Sequence, residues 1–144
     1  MEIDFVTFNL AKKLKEKGFR EKCFATYTSY SETLKLNEIN TDKRPANYKL
    51  NIEEFRECYN YYDSAIDAPT ISQVLKWFRK EKELHIEFIS NASGYCYIIS
   101  RTPQRGGSDL YSCFDSGTND AGEWDDYEEA ALHAIEYILD NLII

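Results

Sequence analysis

Basic residues are scarce over the last third of the chain. Positions 91–144 hold two, Arg101 and Arg105, against ten Asp and Glu, and the whole chain carries a net charge of −8. Such a balance argues against a broad nucleic-acid footprint, because neutralising phosphates takes clustered Lys and Arg. Long apolar runs are also missing. None approaches the roughly 20 residues needed to cross a bilayer, so no membrane partner is expected. The opening Met1-Glu2-Ile3-Asp4 is acidic and lacks the basic-then-apolar order of a signal peptide, which makes the cytoplasm the expected location. Close-set soft ligands are lacking too. Cys23, Cys58, Cys96 and Cys113 lie far apart, and only His85 and His133 could join them. Zinc sites use closely spaced ligand pairs, so four reduced thiols are expected, with a Cys96–Cys113 bridge between neighbouring strands as the alternative.

Motifs that carry known chemistry are absent as well. The chain has no Walker loop, no Gly-x-Ser-x-Gly, no His-Glu-x-x-His and no dinucleotide fingerprint. Gly106-Gly107, near Arg101 and Arg105, reads as a flexible loop rather than an anion cradle. The acidic stretch from Asp115 to Asp126 invites a calcium reading, since calcium takes oxygens at alternate positions. The pattern fails in detail: Gly117 stands where a ligand belongs, Asp120 where the turn glycine belongs, and Asp126 in place of the final Glu. His85 and His133 read as surface or structural residues, because a catalytic histidine needs a positioned partner and nothing in the sequence supplies one. The expectation is a protein that is not an enzyme, with no cofactor, no metal and no catalytic residue.

What the chain does contain is a core. Of its 144 residues 43% are apolar and 15% aromatic, including 11 Tyr and 8 Phe, enough for a single domain spanning 1–144. Its centre is the stretch 68–89. Thr70 and Gln73 have capping-box spacing, and Pro69 turns Ala68 away from the helical conformation. Ile71, Val74, Leu75 and Phe78 then form one apolar stripe with Trp77 at its shoulder. At Leu84 the period changes: Leu84, Ile86 and Phe88 alternate with His85 and Glu87, as in a half-buried strand.

Around this unit the local signals are of unequal strength. Thr7 is an N-cap for a helix over 8–17, with Leu10, Ala11 and Leu14 inward and the lysines outward. Gly18 is its left-handed stop, with Phe19 folding back on Leu14. Strands are predicted over 23–30, and more weakly over 34–39. Residues 48–67 are the least readable. Asn91-Ala92-Ser93-Gly94 is a turn joining the central strand to a second over 95–100, and a third follows over 110–115. Asp126, with Glu129 three positions on, opens a last helix from Tyr127 to about Leu142. Its apolar face is Ala131, Ala134, Ile135, Ile138, Leu139 and Leu142, with Glu129, His133, Glu136 and Asp140 opposite. The fold class expected is α+β, an antiparallel sheet of four to five strands with helices mainly on one face. The second half has the element order of double-stranded-RNA-binding modules, but carboxylates stand at the start of the last helix where such modules carry lysines.

Four blocks together resemble a known group: Phe5–Phe8 with Ala11–Phe19, Ala68–Arg79, Leu84–Glu87, and Tyr127–Leu132 with Tyr137–Leu139. They are similar to small uncharacterised proteins of Bacteroides-type gut bacteria and their phages or prophages. The resemblance implies an accessory protein of a mobile element and brings no catalytic residue or cofactor. The function expected is therefore a non-enzymatic interaction protein whose partner is another protein. Its candidate surface is a tyrosine-bearing sheet face of Tyr27, Tyr95, Tyr97 and Tyr111, with the acidic residues Asp115, Asp120, Glu123 and Asp125. The alternative is a small nucleic-acid-binding module using the basic first helix, with Lys12, Lys13, Lys15 and Lys17.

Overall fold

The computed structural model describes residues 4–28, 32–36, 65–91, 94–101, 110–114 and 124–143, with positions 91, 101 and 110–114 described by their backbone. In chain order the elements are α1 (Phe8–Glu16), β1 (Ala25–Thr28), β2 (Leu34–Leu36), β3 (Ala65–Ala68), α2 (Ile71–Glu81), β4 (Leu84–Asn91), β5 (Gly94–Arg101), β6 (Leu110–Phe114) and α3 (Tyr127–Asn141). The class is α+β. Among the described residues the strands form two antiparallel sheets of three, ordered β2-β1-β3 and β4-β5-β6, in place of the one sheet of four or five strands that the sequence suggested. The chain divides into two compact units: Phe5–Thr70, and Met1–Asp4 together with Ile71–Ile144.

In the first unit, α1 starts where the sequence places it, with the Thr7 hydroxyl accepting from the Leu10 N–H at 3.4 Å. It ends in a Schellman turn. Gly18 sits at φ +93, its N–H donates to the Lys15 carbonyl, and the Phe19 N–H reaches back to Leu14 at 2.9 Å. Phe19 and Leu14 are both buried, which supplies the apolar contact that accompanies this turn. Below α1, β1 is the middle strand. Tyr27 stands opposite both Leu34 of β2 and Ile66 of β3. β3 was not foreseen; it emerges from the segment that carried the weakest signal. The rest of that segment, residues 48–64, lies outside the described residues.

The second unit is built on β5. A hairpin joins it to β4 in unbroken register from Leu84↔Arg101 to Asn91↔Gly94, and β6 pairs along its other side with a bulge at Ile99/Ser100. Opposed residues of an antiparallel pair share a face, so Leu84, Ile86 and Phe88 lie with Ile99 and Tyr97 on one side. Leu84, Ile86, Ile99 and Tyr97 are buried there. On the other side Glu87 is exposed and His85 is half-buried. α2 packs on β4, α3 packs on β5 and β4, and the two helices touch each other, so both cover the same face. α2 buries Ile71, Val74, Trp77 and Phe78; the sequence placed Leu75 in this stripe, but it is half-buried. Its first N–H, from Ile71, donates to the Asp4 carbonyl at 2.9 Å.

α3 opens on the Asp126 carboxylate, which accepts from the Glu129 N–H at 2.8 Å. Packing outweighs this cap. Ile135, Ile138 and Leu139 are all fully buried, and three large aliphatic side chains contribute roughly 5–9 kcal/mol before entropy. The cap contributes about 1 kcal/mol.

Candidate functional site

The residues with the most chemical potential lie on the helix-covered face of β5, and they are used for packing. Tyr97, at the centre of that strand, has no exposed surface. Its hydroxyl lies 2.6 Å from Nδ1 of His133, which α3 brings over it. The indole of Trp124 stacks on the Tyr97 ring at 5.1 Å and 27°, and lies 4.6 Å from the imidazole. Trp124 is held in turn by two backbone bonds with Tyr95, 2.7 and 2.8 Å long. This bridge occupies the β6 side of β5 beyond the point where β6 has ended.

Burial raises the Tyr97 phenol well above the ordinary tyrosine range, and Tyr137 raises it further. The phenol therefore stays protonated, a poor nucleophile or base but a good neutral hydrogen-bonding group. Histidine has a partner here after all. The sequence placed His133 on the polar side of its helix, whereas it is half-buried against Tyr97 and Trp124.

The tyrosine surface is not assembled. Tyr27 belongs to the other sheet, is only 9% exposed, and donates its hydroxyl to the Val6 carbonyl at 2.6 Å. Phe8 meets its ring edge-on, and burial raises its phenol too. Tyr97 is interior. Tyr95 is half-buried and meets Tyr127 edge-to-face at 6.2 Å; Tyr127 in turn packs on Phe88 at 4.5 Å. Tyr111 is placed on β6 by its backbone. A sheet face covered by helices turns tyrosine inward wherever a polar atom can receive the hydroxyl, which the Val6 carbonyl and His133 do. Of the acidic residues, Asp125 is exposed directly before the α3 cap. Asp115, Asp120 and Glu123 lie outside the described residues, as does the Gly106-Gly107 loop.

Cys23 and Cys96 are both buried thiols. Among the described residues no group of three His, Cys, Asp or Glu side chains could hold a metal, and no helix is long and apolar enough to cross a membrane.

One feature escaped the sequence reading. β4 is an outer strand of its sheet, eight residues long, and among the described residues no strand pairs with its far side. In an antiparallel pair alternate residues turn N–H and C=O away from the partner, so this edge offers a row of donors and acceptors. Edges of this kind are normally guarded by Lys, Pro, a bulge or brevity. β4 has no Lys or Pro, its register with β5 is unbroken, and Ile89 is 40% exposed on it. By contrast β2, the outer strand of the first sheet, is three residues long and carries Lys35 between the exposed Leu34 and Leu36. The signal in the sequence was the run Leu84–Asn91 with Glu87 as its one carboxylate and no cation.

Comparison with protein-family models, curated proteins and solved structures found no match to the chain.

Proposed function

We propose that this chain is a non-enzymatic interaction protein that pairs with another polypeptide through the edge of β4 that faces away from β5. The resemblance in its sequence supports reading it as an accessory protein of a phage or mobile element, acting in the cytoplasm. The observation that carries the reading is the eight-residue edge of β4, unpaired among the described residues, in a unit where Tyr97, His133 and Trp124 are spent on packing. Strand addition draws affinity from main-chain hydrogen bonds and specificity from side chains at alternate positions. The exposed Asp125 and Glu129 at the start of α3 lend acidic character to the same unit.

The test is capture by a tagged chain from a lysate that also contains untagged copies of the chain. A polypeptide retained by the wild type and lost with Glu87→Lys, which places a guarding cation on the exposed side of β4, is the expected result. Equal retention by both, or none by either, overturns the reading.

A second reading rests on α1, where Lys12 and Lys15 are exposed, and on the exposed Lys22 beyond it, which together could meet phosphate. Part of this basic character is already committed, since Nη1 of Arg20 donates to the Lys15 and Phe19 carbonyls at 2.9 and 2.8 Å. The interaction-protein reading expects duplex RNA or DNA to bind no tighter than the non-specific range of about 0.1 mM at roughly physiological salt. Micromolar binding that strengthens as salt is lowered, and that is lost in Lys12→Glu/Lys15→Glu, would establish the second reading instead.

A further inference from the structure

Resting on the β4 reading above, we infer that the strand laid against this edge is β4 of a second copy of the chain, antiparallel, with the two-fold axis at Ile86. A two-fold axis perpendicular to the sheet returns each residue to a position of the same face only when a residue lies on the axis, because facing alternates along a strand. Few registers meet that condition and keep most of the strand paired. An axis at Glu87 sets two carboxylates directly opposite each other, which is destabilising in a cross-strand pair. An axis at Phe88 sets Glu87 against the exposed Ile89, a charge against an apolar side chain.

The axis at Ile86 matches on both faces. Leu84 meets Phe88 and Ile86 meets Ile86 on the helix-covered side, where Leu84 and Ile86 are already buried. His85 meets Glu87 twice on the opposite side, where Glu87 is exposed and His85 half-buried. The contact is isologous and uses the same edge of both copies, so it closes on itself as a dimer through β4. β2 cannot serve in the same way: its three residues, with Lys35 on the axis, would set two cations opposite each other.

Sedimentation of the intact chain from roughly micromolar to 0.1 mM should show concentration-dependent dimer. Glu87→Lys removes both His85–Glu87 pairs and puts a guarding lysine in their place, and should weaken the dimer about tenfold. Adding His85→Glu should restore it, because each new lysine then faces a carboxylate. Register is read separately by disulfide formation. Directly opposed residues lie about 4.5–5.5 Å apart, within disulfide reach, while the diagonal pair exceeds it. A mixture of His85→Cys and Glu87→Cys chains should therefore cross-link under mild oxidation, above the wild-type background, where either variant alone does not. A chain monomeric over the whole range overturns the dimer, as does a Glu87→Lys loss that His85→Glu fails to reverse, or cross-linking as strong with Glu87→Cys alone. A monomer that still loses a captured protein on Glu87→Lys would leave the β4 reading standing with a different occupant.

Discussion

Replacing Tyr97 with Phe removes a single oxygen from the interior of the second unit, and its cost can be worked out from what that oxygen touches. The ring is fully buried and stacked on Trp124, and phenylalanine keeps both relations, so no cavity opens. What goes is the 2.6 Å contact with Nδ1 of His133. A hydrogen bond between neutral groups contributes about 0.5–1.5 kcal/mol net. Leaving a polar atom without its partner adds to that, but His133 is half-buried and water can reach part of it. The expected loss is about 1 kcal/mol, a fall of roughly 0.5 M in a urea midpoint.

The same oxygen has a signature in alkali. The Tyr97 pKa is raised in the folded protein above the ordinary tyrosine value of about 10, first by burial and then by Tyr137. Above pH 10 the unfolded chain loses this proton and the folded one keeps it, so stability falls as pH rises. The contribution is fully present below pH 10 and fades toward the folded pKa. Each tyrosine behaving so steepens the decline by up to about 1.4 kcal/mol per pH unit. Tyr97→Phe should make that limb shallower without abolishing it, because Tyr27 and Tyr127 are raised as well. Urea titrations at neutral pH and across pH 9–12 for wild type, Tyr97→Phe, His133→Ala and the double variant measure both effects. A coupling energy near zero in that cycle, with an unchanged alkaline limb, would refute the account of this pair.

Two smaller perturbations address single backbone positions. Glu83, between α2 and β4, holds φ +55, a left-handed conformation that costs a side-chain-bearing residue about 1 kcal/mol. Glu83→Gly should therefore raise stability by somewhat less than that, allowing for the greater freedom of glycine in the unfolded chain, and a lower denaturation midpoint would show that the Glu83 side chain contributes more than its backbone costs. Asp126→Ala should cost about 1 kcal/mol by removing the cap of α3, with Asp126→Asn retaining most of it; equal losses in the two would point to the charge rather than the hydrogen bond.

Features that a few neighbouring residues decide were legible in the sequence. Thr7, Gly18 and Phe19 set both ends of α1 through bonds that span at most five positions. The switch to alternation at Leu84 and the turn before Gly94 gave the hairpin, since each strand there is read by its own side chains. β3 was illegible because Ala-Ile-Asp-Ala has one β-branched residue; it is a strand by virtue of pairing with β1, a partner far back in the chain. The division into two sheets was hidden for the same reason, as strand order depends on partners that local pattern does not name. His133 was misplaced by its neighbours Glu129 and Glu136. It sits at the margin of the α3 stripe, and Trp124, in a stretch that read only as acidic loop, makes that margin an interior. That β4 is an outer strand among the described residues needed the sheet order before it could be seen at all.

The isolated bridge between Phe5 and Thr70 has a consequence for the order of folding. It closes the whole first unit into one long excursion, flanked by the Val6–Pro69 bond inside and the Asp4–Ile71 bond outside. The entropy of bringing such ends together grows only with the logarithm of the separation, but it is spent before any contact at the seam repays it. The β4–β5 hairpin closes over a turn of a few residues and faces no such delay. Assembly of the second unit can therefore run ahead on local contacts, while the seam that ties off Phe5–Thr70 waits until both flanks are already in place.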